Sequence, residues 1–205
     1  MSPARRREPG ERATRTAVML AAARLIGERG VDAVSVQQIA TAAGYTKGAF
    51  YSNFASKDEM ATALLDEVFA RVIARIDEHL AGEGEPRDEV RQTAADFIHW
   101  AGLGEWSNLY FQLAAHAAGH APFRRRFAER WRQMRAQLAA LFARWAAGVG
   151  EPPLPIESIV AMICLLSDGF LLERVIEPQL SEEQFTIALG VLYRGLEALA
   201  AERRG

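Results

Sequence analysis

The chain has 205 residues, half of them hydrophobic, a formal net charge of −2 and one cysteine, Cys164. That length supports a sizeable core, and a single cysteine excludes an internal disulfide framework and fits the reducing cytoplasm. No segment reaches the roughly 20 uninterrupted apolar residues of a spanning helix, and the opening MSPARRREPGERATR has no apolar run behind its arginines, so neither a membrane anchor nor a secretion signal is expected.

The near-neutral total hides an asymmetry. Residues 1–60 hold nine Lys/Arg against six Asp/Glu, whereas the rest holds fifteen against twenty. Of the 24 basic residues only Lys47 and Lys57 are lysines, and they flank one short segment. Compact ammonium groups serve well as phosphate partners.

In chain order, residues 1–12 are polar and Arg-rich with two prolines and read as a flexible arm. A helix is expected from about Thr14, with Val18, Ala21, Ala22, Leu25 and Ile26 at helical spacing and Gly30 as its stop. Ser35 to Phe54, SVQQIATAAGYTKGAFYSNF, then reads as two short helices around a tight turn. Ser35 and Gln38 have capping-box spacing, Gly44 suits the left-handed end of the first helix, and Thr46 can cap the second. Phe50 is expected to turn inward while Gly48, Tyr51 and Ser52 share an outer face.

The string Ile39-Ala40-x-x-Ala43-Gly44, Lys47-Gly48, Phe50-Tyr51, Phe54, Ser56-Lys57-Asp58-Glu59 resembles the signature of the tetracycline-repressor (TetR) family, spanning roughly residues 14–69. The resemblance implies a helix-turn-helix whose second helix enters the DNA major groove at Thr46, Lys47 and Gly48, with Lys47 on a guanine edge or a nearby phosphate. It places Tyr51 and Lys57 at phosphate-gripping positions and Gln37 where some members read a base. Ser35 caps a helix whose N-terminus can face a phosphate, and Asn53 replaces a histidine or similar residue as a possible phosphate contact.

Beyond this segment, Ser56 and Glu59 suggest a second capping box. Met60, Leu64, Val68, Val72 and Ile76 sustain one helical stripe to about Leu80. AGEGEPRD, residues 81–88, breaks the pattern, and further helical segments follow at about 87–102, 105–118, 122–147, 156–175 and 181–203. No segment alternates as a half-buried strand would. The middle helices are dense in aromatics, and Trp100, Trp106, Tyr110, Phe127, Trp131, Met134 and Phe170 are the candidate lining of a pocket for a small apolar or aromatic effector. The last two helices are so apolar that a second copy is expected to cover them, in an intersubunit four-helix bundle. Asp168 and Glu173 there would need partners, such as Arg174 or an arginine across that interface.

Catalytic chemistry finds little support. Cys164 lies in an apolar run that suits an inert thiol, and the Gly-rich patches lack phosphate-loop spacing. His116 and His120 are four apart, but Gly119, Pro122 and the want of an obvious third ligand favour a helix end over a metal site. Neither metal nor cofactor is expected.

The sequence therefore predicts an all-α cytoplasmic protein of about nine helices. Its segments are the arm (1–12), a three-helix DNA-binding domain (13–58) and a larger helical ligand-binding and dimerisation domain (59–205). The expected partners are a palindromic DNA operator, a second copy bound through the last two helices, and a small-molecule effector that releases the DNA. A helical interaction or scaffold protein, or a helical enzyme, are the alternatives.

Overall fold

The absence of period-two segments carries through to the structure. The computed structural model describes residues 8–80 and 105–203, and among them every regular element is a helix. These are α1 (Glu8–Arg29), α2 (Val36–Ala42), α3 (Lys47–Tyr51), α4 (Lys57–Leu80), α5 (Glu105–Gly119), α6 (Ala121–Val149), α7 (Ile156–Ile176) and α8 (Glu182–Glu202). The helix expected over 87–102 lies outside the described residues.

Helix α1 starts at Glu8, earlier than the expected Thr14 and inside the segment read as an arm. Hydrophobic periodicity reports burial rather than helicity, and the first buried side chain, Val18, comes ten residues into the helix. A proline in a first turn removes an N–H that has no intrahelical partner in any case. The helix stops at Gly30, whose φ of +86° lies in the left-handed region. A Cβ on Gly30 would come within 2.9 Å of the Gln112 side-chain oxygen, so close approach adds to the demand for glycine.

Helix α4 runs 24 residues, about 36 Å at 1.5 Å per residue. Its start is half of the expected capping box. The Glu59 N–H donates to Ser56 Oγ at 3.1 Å, but the Glu59 carboxylate accepts from the Ala55 N–H at 2.8 Å, one residue before the box position.

The described residues form two compact units, one drawn from Met1–Val68 and Asn108–Glu129, the other from Phe69–Ser107 and Arg130–Gly205. The expected boundary after residue 58 thus falls inside the first unit. Met60, Ala61, Leu64 and Leu65, on the first turns of α4, are fully buried and belong to that unit's core with Val18, Ile26, Ile39, Phe50, Phe54, Leu109, Leu113 and Phe123.

In the second unit, α7 and α8 pack through the stacked rings of Phe170 and Phe185, 4.8 Å between centroids, with Leu166, Leu180 and Leu189 around them. Arg174 donates to Glu182 at 3.2 Å across the α7–α8 turn. Glu173 is exposed and Asp168 half-buried, so in this chain Glu173 needs no buried partner. Cys164 is buried, and burial, with the Asp168 charge added, raises its thiol to about 11.

Candidate nucleic-acid interface

Two caps and one glycine shape the segment from Ser35 to Phe54. Ser35 accepts from the Gln38 N–H at 3.2 Å, and the Gln38 side-chain oxygen accepts from the Ser35 N–H at 2.8 Å, completing the reciprocal box that starts α2. The chain then reverses at Gly44, φ +78°, where the Gly44 N–H reaches the Thr41 carbonyl and the Tyr45 N–H the Ala40 carbonyl. Thr46 starts α3 by accepting from the Ala49 N–H at 3.2 Å.

A five-residue helix is too short to persist on its own, so α3 depends on packing. Phe50 supplies it. Its side chain is fully buried, edge-on to Tyr51 at 5.4 Å and against Phe54 at 5.6 Å. Arg15 of α1 lies over the Phe54 ring at 4.2 Å and donates to the Asn53 carbonyl at 2.9 Å, tying the end of α3 to the first helix.

With Phe50 turned in, the opposite face of α3 turns out. Thr46, Lys47, Gly48 and Tyr51 are all exposed, and the Lys47 ammonium stands 5.9 Å from the centre of the Tyr51 ring. At Gly48 a Cβ would meet nothing nearer than the Thr46 hydroxyl at 3.6 Å, so the chain itself does not require glycine there. Gln37 is exposed on α2 and donates to Thr41 Oγ1 at 3.2 Å.

Two candidate phosphate residues are committed locally. Asn53 is half-buried and its amide donates to the Ala49 carbonyl at 2.9 Å, finishing α3. The Lys57 ammonium turns inward to the Val31 and Val34 carbonyls, at 2.8 and 3.2 Å, in the α1–α2 connection. A lysine four carbons long can reach back over the start of its own helix to loop carbonyls outside any helix, which sequence spacing does not reveal.

The candidate effector residues are divided. Tyr110 and Phe127 face each other at 6.1 Å in the first unit. In the second unit Trp131 packs on Phe69 at 5.8 Å, Arg71 lies over the Trp106 ring at 4.4 Å, and Met134 is buried. Phe170 serves the α7–α8 core, and Trp100 lies outside the described residues. A separate cleft of about 250 Å³ in the second unit is walled by Phe142, Trp145, Pro152, Ile156, Tyr193 and Leu196, none of them among the expected residues. They come from three helices and a Pro-rich turn far apart in sequence, so local spacing gave no sign of their meeting.

The pair His116 and His120, expected to mark a helix end, does sit at the α5–α6 junction, but it lies beside Asp58 of α4 and Asp32 of the α1–α2 connection, neighbours that spacing did not reveal.

Comparison with known proteins gives two family matches that together span most of the chain. Residues 18–64 match the family of bacterial regulatory proteins described as tetR family, and residues 86–199 match the C-terminal domain of BetI-type transcriptional repressors. The chain is 37% identical over 86 residues to the HTH-type transcriptional regulator TtgR of Pseudomonas putida, a match spanning 42% of this chain and 39% of TtgR. In fold it is similar to FadR of Bacillus subtilis, solved in complex with stearoyl-CoA, with a TM-score of 0.69 at 19% identity, covering 90% of this chain and 96% of that one. It is also similar to a transcriptional regulator of Rhodococcus, with a TM-score of 0.70 at 22% identity, covering 91% and 95%.

Proposed function

The chain belongs to the TetR family of transcriptional regulators, and we propose that it is a homodimeric repressor that leaves a palindromic operator when a small apolar or aromatic molecule binds its larger unit. The observation that carries this reading is the outward set of Gln37, Thr46, Lys47, Gly48 and Tyr51 on a helix-turn-helix that is capped at both starts and pinned by Phe50.

In this reading Lys47 and Tyr51 supply the principal contacts of α3, Lys47 to a guanine edge or phosphate and Tyr51 to a phosphate. Thr46 and Gly48 let the backbone approach the groove, and Gln37 reaches a base from α2. Ser35, Asn53 and Lys57 act mainly by fixing the shape of the reader, each holding a local backbone group, and Lys57 offers a phosphate the N–H left over from its two carbonyls.

The dimer forms through α7 and α8. Leu165, Leu172, Ile176, Ile187 and Val191 expose much of their apolar surface there, and a second copy supplies the matching cover. Each copy inserts one α3, so the operator has two half-sites about one helical turn or slightly more apart. The effector is held in the larger unit, where Trp106, Trp131 and Met134 lie, and its binding shifts α4, which alters the separation of the two readers. The stearoyl-CoA held by FadR supports an effector with a large apolar part. Switching occupancy firmly requires a preference of about 5 kcal/mol for the DNA-incompetent state.

Selecting bound sites from a random DNA pool, with and without candidate apolar effectors, tests the whole reading. Enrichment of a palindrome is expected, and its failure to appear contradicts the proposal.

A further inference from the structure

We propose that Asp58, His116 and His120 form a binding site for a divalent first-row transition metal of the zinc class, with Asp32 as its outer support. The three side chains offer one carboxylate oxygen and two imidazole nitrogens that all lie within 4.8 Å of one another. This is a donor set that such ions favour, with a coordination position left for water.

The histidine geometry gives the site its direction. The His116 side chain is only 6% exposed, and its Nδ1 stands 3.1 to 3.2 Å from both carboxylate oxygens of Asp32. With Nδ1–H donating to Asp32, the neutral ring carries its lone pair on Nε2, the carboxylate–histidine arrangement that orients metal ligands. That Nε2 is buried and has no hydrogen-bond partner in the protein, and the same is true of Nδ1 of His120. Both nitrogens face the Asp58 carboxylate, His116 Nε2 at 3.5 Å and His120 Nδ1 at 3.4 Å. Burying two such groups unsatisfied is costly, so something must join them.

These separations match a metal. Ligand bonds of about 2.0–2.1 Å at the tetrahedral angle put neighbouring donor atoms about 3.4 Å apart. The two rings lie nearly parallel, 5.1 Å apart with 17° between their planes. The half-exposed His120 can rotate to close the widest donor separation. The site would bind the start of α4 to the α5–α6 junction, beside the loop whose carbonyls Lys57 already holds. The four-residue spacing of His116 and His120 did not by itself favour a metal because no third ligand was evident, and the fold supplies one in Asp58, 58 positions before His116.

Equilibrium dialysis of untagged, chelator-stripped full-length protein against Zn²⁺, with the visible absorption of the Co²⁺ form as the geometric readout, tests the site. We expect about one ion per chain. Affinity should fall more than about 100-fold in His120→Gln and in His116→Gln, and about 10–100-fold in Asp32→Asn. His120 is half-exposed, so circular dichroism should show His120→Gln still folded, which keeps the test valid if the buried His116 variant unfolds. Wild-type protein that retains no ion, or ion binding that is undiminished in folded His120→Gln, would overturn the proposal.

Discussion

The ammonium of Lys57 donates to the Val31 carbonyl at 2.8 Å, and so a residue proposed to meet DNA is first a clamp on the connection between the first two helices. With the Val34 carbonyl as its second acceptor, it satisfies two backbone groups that no helix provides for. Lys57→Met keeps the apolar stem but removes both bonds. Urea unfolding should show a loss of about 1–3 kcal/mol, the range for charged hydrogen bonds to part-buried acceptors.

The turn between α2 and α3 makes a second, smaller demand. Gly44 has φ +78°, and nothing lies within 4 Å of where a Cβ would sit. Gly44→Ala therefore meets backbone strain without a clash. A cost of about 1–2 kcal/mol is expected in the same unfolding measurement, with Gly44→Asn costing less because asparagine tolerates the left-handed region.

What could be read from the sequence here was local. The Ser35–Gln38 box, the Thr46 cap, the glycine at 44 and the inward Phe50 all follow from spacings of four residues or fewer, where side chain and backbone have little choice. The start of α1 was missed because exposed turns carry no apolar period. The inward reach of Lys57, the meeting of Asp58 with His116 and His120, and the division of the aromatic residues between two units depend on which distant segments pack together. Residue spacing along the chain carries no record of that.

Cys164 provides a check on the second unit. Burial, with Asp168 adding to it, raises its thiol from 9.0 to about 11, so at pH 8 only roughly a thousandth is thiolate. Iodoacetamide should label native protein far more slowly than urea-unfolded protein at that pH. Because the folded pKa is raised, the protonated thiol's contribution to stability is full below the unfolded value near 9 and is lost as pH rises through 11.

Leu165 and Ile176 are each 73% exposed on α7. If a second copy covers this face, Leu165→Glu or Ile176→Glu places a charge in the interface while leaving the core of the single chain untouched. Analytical ultracentrifugation should show the wild type as a dimer and the variants shifted to monomer, with helicity by circular dichroism unchanged.

The central claim is that the outward face of α3 reads DNA, and it is tested most directly on an operator enriched from a random pool. Fluorescence anisotropy at fixed salt, comparing wild type with Lys47→Ala and Tyr51→Ala, measures what each side chain contributes. The account predicts a loss of about 1–3 kcal/mol for Lys47→Ala, a fall in affinity of roughly 5- to 150-fold, with a shallower salt dependence if Lys47 meets a phosphate. Tyr51→Ala should weaken binding by a similar factor. Both side chains are exposed, so the fold should persist. An operator complex whose affinity is unchanged in both variants would contradict the assignment of α3 as the reader.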